Sequence, residues 1–310
     1  MKDKYIYHEE LKKFKNFRIP INRVLILFSH IFLGLLYYFQ FSNKKIKVDK
    51  FKINSFDNKK IKNIIYTPKN IELNKRCLYF IHGGGFTFNG SLHHYELAKR
   101  MAIKLKCKAV YIDYRLAPKH KFPIAPLDVF NTYKWISDNS ERLNINKDEI
   151  ILMGDSAGGN LVALTSILAK RNNLVLPKVN ILLYPVLTKD LETESIKKYT
   201  DTPFCNSKDL DKYGKYYYDD KEYDIPKAPY DEDIFIGYPN TYIEVAEYDC
   251  LHDDGVLFFN KLKENNVNTY LNEVKGAMHG YDFAINSSLV NDLINKRCSF
   301  IEEVFNKKDN

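Results

Sequence analysis

In the stretch GDSAGGN, Gly154 to Asn160, a serine stands between two glycines, after the apolar run EIIL and before the helical run LVALTSILAKR. The G-x-S-x-G spacing therefore falls at a strand-to-helix turn, which makes Ser156 the candidate nucleophile of the chain. Glycine at 154 and 158 removes the Cβ atoms that would meet a neighbouring strand or helix. The Ser156 hydroxyl is left clear at a helix N-terminus, where developing negative charge is favoured. The chemistry this arrangement suits is acyl transfer, although the spacing alone also fits a plain glycine-rich turn.

A serine hydroxyl is a weak nucleophile at neutral pH and needs a base, which in turn needs an orienting carboxylate. On a turn of this kind the acid and then the base follow the serine along the chain. Two histidines lie beyond Ser156, His252 and His279. His252 comes three residues after Asp249, which leaves no room for a strand and helix between acid and base. His279 follows the last strand-like run in the loop KGAMHGYDF and is the expected base. Asp249, at the end of TYIEVAEYD, is the favoured acid; Asp253 and Asp254 compete one helical turn further on, Asp253 also suiting a helix cap.

An oxyanion needs amide donors. IHGGGFTFNG places three of the chain's 13 glycines in a row after an apolar strand, where bare backbone can approach an acyl group closely. The expected donors are the N–H of Ala157 and that of Gly84 with a neighbour, either Gly83 or Gly85. Phe86, Phe88 and Tyr184 follow strand ends nearby and are candidates for an apolar pocket wall.

Elements able to bring these groups together are legible in the pattern. KVDKFKI and KKIKNIIY straddle Asp57-Asn58 as a hairpin. Six apolar or β-branched runs follow (RCLYFI, KAVYID, EIILMG, KVNILLY, TYIEVAE, NTYLNEV), with helical spacing over 91–105, 125–139, 156–171, 253–265 and 286–305. Strands alternating with helices imply a mostly parallel sheet covered on both faces. Residues 189–230, polar and tyrosine-rich, are too long for an ordinary crossover and read as an insertion over the sheet's edge, its tyrosines mainly packing the surface.

In this order HGGGF, DYRLAP with FPIAPLDV, GDSAGGN, YDCLHDDG and MHGY resemble the hormone-sensitive-lipase-like esterases of the α/β-hydrolase fold, from about Lys47 to the C-terminus. The resemblance implies an eight-stranded, mostly parallel sheet with helices on both faces and a helical cap. It puts nucleophile, acid and base on Ser156, Asp249 and His279, and gives His82 a structural role. It also implies a carboxylic ester substrate of short to medium chain, an acyl-enzyme, and no metal or organic cofactor. Cys250 stands where the family usually has proline, and Tyr281 where it usually has phenylalanine. The same scaffold serves amide-cleaving relatives (arylformamidases, deacetylases) and non-catalytic small-molecule receptors, although receptors typically lose the base that His279 supplies.

Charge is unevenly placed: residues 1–76 hold 18 Lys/Arg against 6 Asp/Glu, and the remainder 29 against 33. The basic runs lack a nucleic-acid module, and no nucleic-acid partner is expected. Five scattered cysteines without CxxC spacing argue against a disulfide framework or structural zinc. Between the basic runs, residues 24–41 are 18 residues without formal charge, just at bilayer-crossing length. Residues 1–46 are therefore expected to be either part of the cap or a membrane anchor, with 47–310 the catalytic domain. The matching localisations are membrane-associated or cytoplasmic.

Overall fold

The computed structural model describes residues 4–188 and 192–307. Eight strands form one sheet in the order β1-β2-β4-β3-β5-β6-β7-β8: β1 Ile46–Asn54, β2 Lys60–Pro68, β3 Cys77–Ile81, β4 Lys108–Asp113, β5 Ile150–Asp155, β6 Val179–Leu183, β7 Asn240–Tyr248 and β8 Thr269–Met278. β1 and β2 make the expected hairpin and β2 pairs antiparallel with β4; from β4 onward all neighbours are parallel. Sequence explains the difference. Every residue of β3, β5 and β6 is buried, as continuous apolar runs covered on both faces require. The lysine-rich edge strand β1 exposes much of its length, which discourages pairing with another chain.

The helices are α1 Arg23–Leu36, α2 Leu92–Lys104, α3 Ile124–Asp138, α4 Ser140–Leu143, α5 Ala157–Arg171, α6 Glu194–Lys198, α7 Ser207–Tyr217, α8 His252–Glu264 and α9 Ser288–Asn306. Leu97 and Met101 of α2 pack with Val290 and Ile294 of α9 in the core on one face of the sheet. Val129 of α3, Leu161 and Leu164 of α5 and Phe258 of α8 share the core on the other. α5 is buried from Ala157 to Ala169, so truncating Leu161 or Leu164 to alanine would cost about 2–5 kcal/mol. Because β3, β5, β7 and β8 run parallel, the glycine loop, Ser156, Asp249 and His279 all emerge at the same sheet edge.

Two expectations change. The membrane-anchor reading of residues 24–41 is not supported: α1 is 14 residues long and the chain then turns. At 1.5 Å per residue it reaches about 21 Å, short of the roughly 30 Å hydrocarbon core. Among the described residues no helix is long and apolar enough to cross a membrane. The expected insertion begins in 189–191, outside the described residues; from 192 it carries α6 and α7 and lies over the C-terminal ends of the strands, above Ser156, where Tyr213, Tyr217 and Tyr218 line a cavity rather than pack the surface.

Candidate active site

Ser156 occupies the turn between β5 and α5 at φ 52° and ψ −117°, a strained conformation that holds its side chain off the sheet. Its N–H donates to Leu183 O at 2.8 Å. The flanking glycines are required sterically: a Cβ on Gly158 would sit 2.1 Å from Ile81 O, and one on Gly154 2.5 Å from the Gly158 backbone. Ser156 Oγ lies 2.9 Å from His279 Nε2, and His279 Nδ1 lies 2.7 Å from Asp249 Oδ2. Asp249 Oδ1 accepts the Leu251 N–H at 2.9 Å, and the carboxylate is fully buried. With Asp249 accepting at Nδ1, the neutral ring carries its proton there and offers the Nε2 lone pair to the serine hydroxyl. Burial pulls the His279 pKa down, but the Asp249 charge and hydrogen bond, with Cys205 nearby, raise it to about 9.

The competing acids and base are engaged elsewhere. Asp254 Oδ2 accepts the N–H groups of Leu187 and Thr188, and burial raises its pKa to about 7. Asp253 accepts the Ser195 N–H in the first turn of α6. His252 pairs with Asp253 at 2.9 Å and with Glu273 at 3.5 Å.

The glycine loop divides unequally. Gly83 donates its N–H to Asp155 Oδ1 at 3.0 Å and does not reach the cavity, which corrects its candidacy as an oxyanion donor. Gly84, Gly85 and Ala157 do line the cavity beside Ser156. Asp155 was read from sequence only as the variable position of the serine motif, yet it ties loop to nucleophile. Its Oδ2 accepts from His94 Nε2 at 3.1 Å, and His94 Nδ1 accepts the Ser91 N–H at 2.9 Å. Burial raises the Asp155 pKa, but His94, His93 and His82 outweigh it and bring it to about 2. A signal was available: Ser91 and His94 have capping-box spacing at the start of α2. His82 is buried with Nδ1 2.7 Å from Gly83 O and stacks on Tyr114; burial drops its pKa to about 3.

His93, His94 and Asp155 bring potential ligand atoms within 4.8 Å of one another. His94, however, accepts at one ring nitrogen and carries its proton on the other, so neither lone pair faces a cation. These donors brace a loop and do not fit a metal.

Above Ser156 lies a cavity of about 1000 Å³. Phe86, Phe88 and Tyr184 line it. Phe86 stacks on Tyr217 of α7 with ring centroids 3.9 Å apart, and the Tyr184 ring meets His279 edge-on at 4.9 Å. Contributors that sequence reasoning missed are Leu25, Phe28 and Phe32 of α1, Phe204, and Phe283. Below His279 and Tyr184, buried Arg297 of α9 bonds Glu244 and reaches Asp282 at 3.2 Å, while Tyr281 donates to Glu244.

A family model described as the alpha/beta hydrolase fold matches residues 78–283. The chain belongs to the α/β-hydrolases. Within the family it falls with the hormone-sensitive-lipase-like esterases. It is 34% identical to an arylesterase of Saccharolobus solfataricus over 70% of this chain and 71% of the relative. To carboxylesterase NlhH of Mycobacterium tuberculosis it is 29% identical, over 71% of each. Among solved structures, an esterase of Pyrobaculum calidifontis superposes with a TM-score of 0.77 at 28% identity, covering 91% of both chains. As in any α/β-hydrolase, the functional loops gather at the C-terminal edge of the parallel strands, the edge where the cavity opens here.

Proposed function

We propose that this α/β-hydrolase is a serine carboxylesterase working through an acyl-enzyme. The observation that carries the reading is the chain of two hydrogen bonds from Ser156 through His279 to Asp249, at 2.9 and 2.7 Å. Ser156 Oγ attacks the ester carbonyl carbon while His279 Nε2 takes its proton. The carbonyl oxygen becomes an oxyanion facing the N–H groups of Gly84, Gly85 and Ala157. Collapse expels the alcohol, which leaves with the proton from His279. Water then repeats the cycle on the acyl-serine and releases the acid. Asp249 holds the imidazole in the useful tautomer and stabilises its cation.

Residues 4–46 and the segment from 192 to 230 form the cap over this site. Support comes from the α1 and α7 side chains that line the cavity and from the Phe86–Tyr217 stack. A half-open, largely apolar cavity of this kind suits uncharged esters of short to medium acyl length. Relatives named arylesterase and carboxylesterase point to the same substrate class.

Hydrolysis of p-nitrophenyl acetate, butyrate and octanoate by the purified chain, beside matched anilides and labelling by an organophosphonate, tests the reading. Ester turnover with labelling at Ser156 is expected. Preferential cleavage of the anilides moves the assignment to an amidase, and absence of both turnover and labelling removes the catalytic reading.

A further inference from the structure

α1 carries more apolar surface than the fold covers. Val24, Leu27, Ile31 and Leu35 recur at spacings of three and four, so they form one stripe along the helix, and each is at least 44% exposed. Tyr38, Phe39 and Phe41 follow in the turn after the helix, all more than 50% exposed. A contiguous exposed apolar face of this extent marks an interaction surface. The adjoining face of the same helix, through Leu25, Phe28 and Phe32, lines the cavity above Ser156. Phe28 and Phe32 belong to both faces: each is just over half exposed, and their rings pack 4.0 Å apart at the rim.

The helix is seated on the body. Ile26 is fully buried, Tyr37 Oη donates to Asn63 O at 3.3 Å, and His30 Nε2 donates to Thr87 O at 2.6 Å. Cations surround the outward stripe. Residues 23–62 hold nine Lys/Arg against two Asp, net +7. Lys50 Nζ lies 5.1 Å from the Phe41 ring, whereas Lys62, beside the Tyr37 and Tyr38 rings, is paired with Asp113 at 3.5 Å. Lys44 and Lys45 follow on exposed backbone. A symmetric contact between two copies would set these cations against each other, whereas a negatively charged bilayer neutralises them while covering the apolar residues.

We infer that α1 and residues 38–41 dock on an anionic lipid surface. The stripe Val24–Leu27–Ile31–Leu35 lies at the headgroup–acyl boundary, the exposed Lys44, Lys45 and Lys50 meet lipid phosphates, and the Phe28–Phe32 rim opens the cavity toward the acyl region. The substrates delivered by this route are uncharged esters of medium acyl length that partition into the bilayer. That second statement rests on the ester-hydrolase reading; the docking does not.

The experiment is flotation of the full chain with vesicles of phosphatidylcholine alone and with 30% phosphatidylglycerol, beside the variant Leu27→Ser/Ile31→Ser/Leu35→Ser, whose three positions do not line the cavity. Wild type should float with the anionic vesicles, partition at least about tenfold less at 0.5 M salt, and lose about tenfold or more in the triple variant. The variant should keep its rate on soluble p-nitrophenyl acetate and fall at least about fivefold, relative to wild type, on p-nitrophenyl octanoate partitioned into anionic vesicles. Wild type remaining below the gradient with both vesicles overturns the proposal, as does undiminished flotation of the variant. A dimer in sedimentation that the variant dissolves overturns it in favour of a second copy. If wild type floats but cleaves neither ester, docking stands and the ester-hydrolase reading fails.

Discussion

Asp249 and His279 are joined at 2.7 Å across two adjacent parallel strands, the aspartate just past the end of β7 and the histidine just past the end of β8. The β7–β8 pairing thus fixes the carboxylate against the imidazole, and β5, two strands from β7, presents Ser156 to the far side of the ring at 2.9 Å.

Replacing Ser156 by alanine should lower kcat by roughly a millionfold, and Asp249→Asn by about ten-thousandfold, because the amide offers the wrong hydrogen-bond pattern to the imidazole. Steady-state rates on a p-nitrophenyl ester, with circular dichroism to show that the fold is retained, measure both. A Ser156→Ala variant within tenfold of wild type would place the nucleophile elsewhere.

His279, the proposed base, works when neutral, and its pKa is raised from 6.5 to about 9 by Asp249 against the pull of burial. kcat/KM should therefore climb with pH across the interval from 6.5 to about 9. Stability responds in the opposite sense: the contribution of protonated His279 is fully present below 6.5 and is lost as pH rises through about 9. A pH–rate profile whose acidic limb has its midpoint at 6.5 or lower would mean that Asp249 does not raise the His279 pKa, leaving its role as base untouched.

Gly84 has φ +113°, and a Cβ there would lie 2.7 Å from Phe88 O. Gly84→Ala should displace the proposed oxyanion donors and cut kcat by at least about a hundredfold with a small change in KM. Organophosphonate labelling should slow in parallel. Unaltered kcat would remove this loop from transition-state stabilisation.

Arg297 is fully buried between the carboxylates of Glu244 and Asp282. Arg297→Met leaves two buried acids without their cation and should cost about 3–5 kcal/mol in urea unfolding. Burial holds the Asp282 pKa up, with Arg297 opposing, at about 6. A loss under 1 kcal/mol would mean that the acids are neutralised in another way.

Much of this architecture was open to reading from the residues alone, for physical reasons. The central strands are unbroken apolar runs because both their faces are covered, and the serine turn announces itself because only glycine fits at 154 and 158. Choosing between Gly83 and Gly85 was out of reach, since it depends on the Asp155 carboxylate, 72 positions away, taking the Gly83 N–H. Arg297 gave no sign either: an arginine in an amphipathic helix ordinarily faces water. The run from Val24 to Phe41 was ambiguous because an apolar sequence looks alike whether lipid, core or cavity receives it, and only coordinates separate the faces of α1.

Phe17, Phe204 and Phe283 meet above the cavity, with ring centroids 4.5 Å apart for the first pair and 4.8 Å for Phe204 and Phe283. One aromatic cluster thus ties together the segment before α1, the insertion after β6 and the loop after β8. Loosening any one of the three therefore uncovers the space above Ser156 from the other two sides as well.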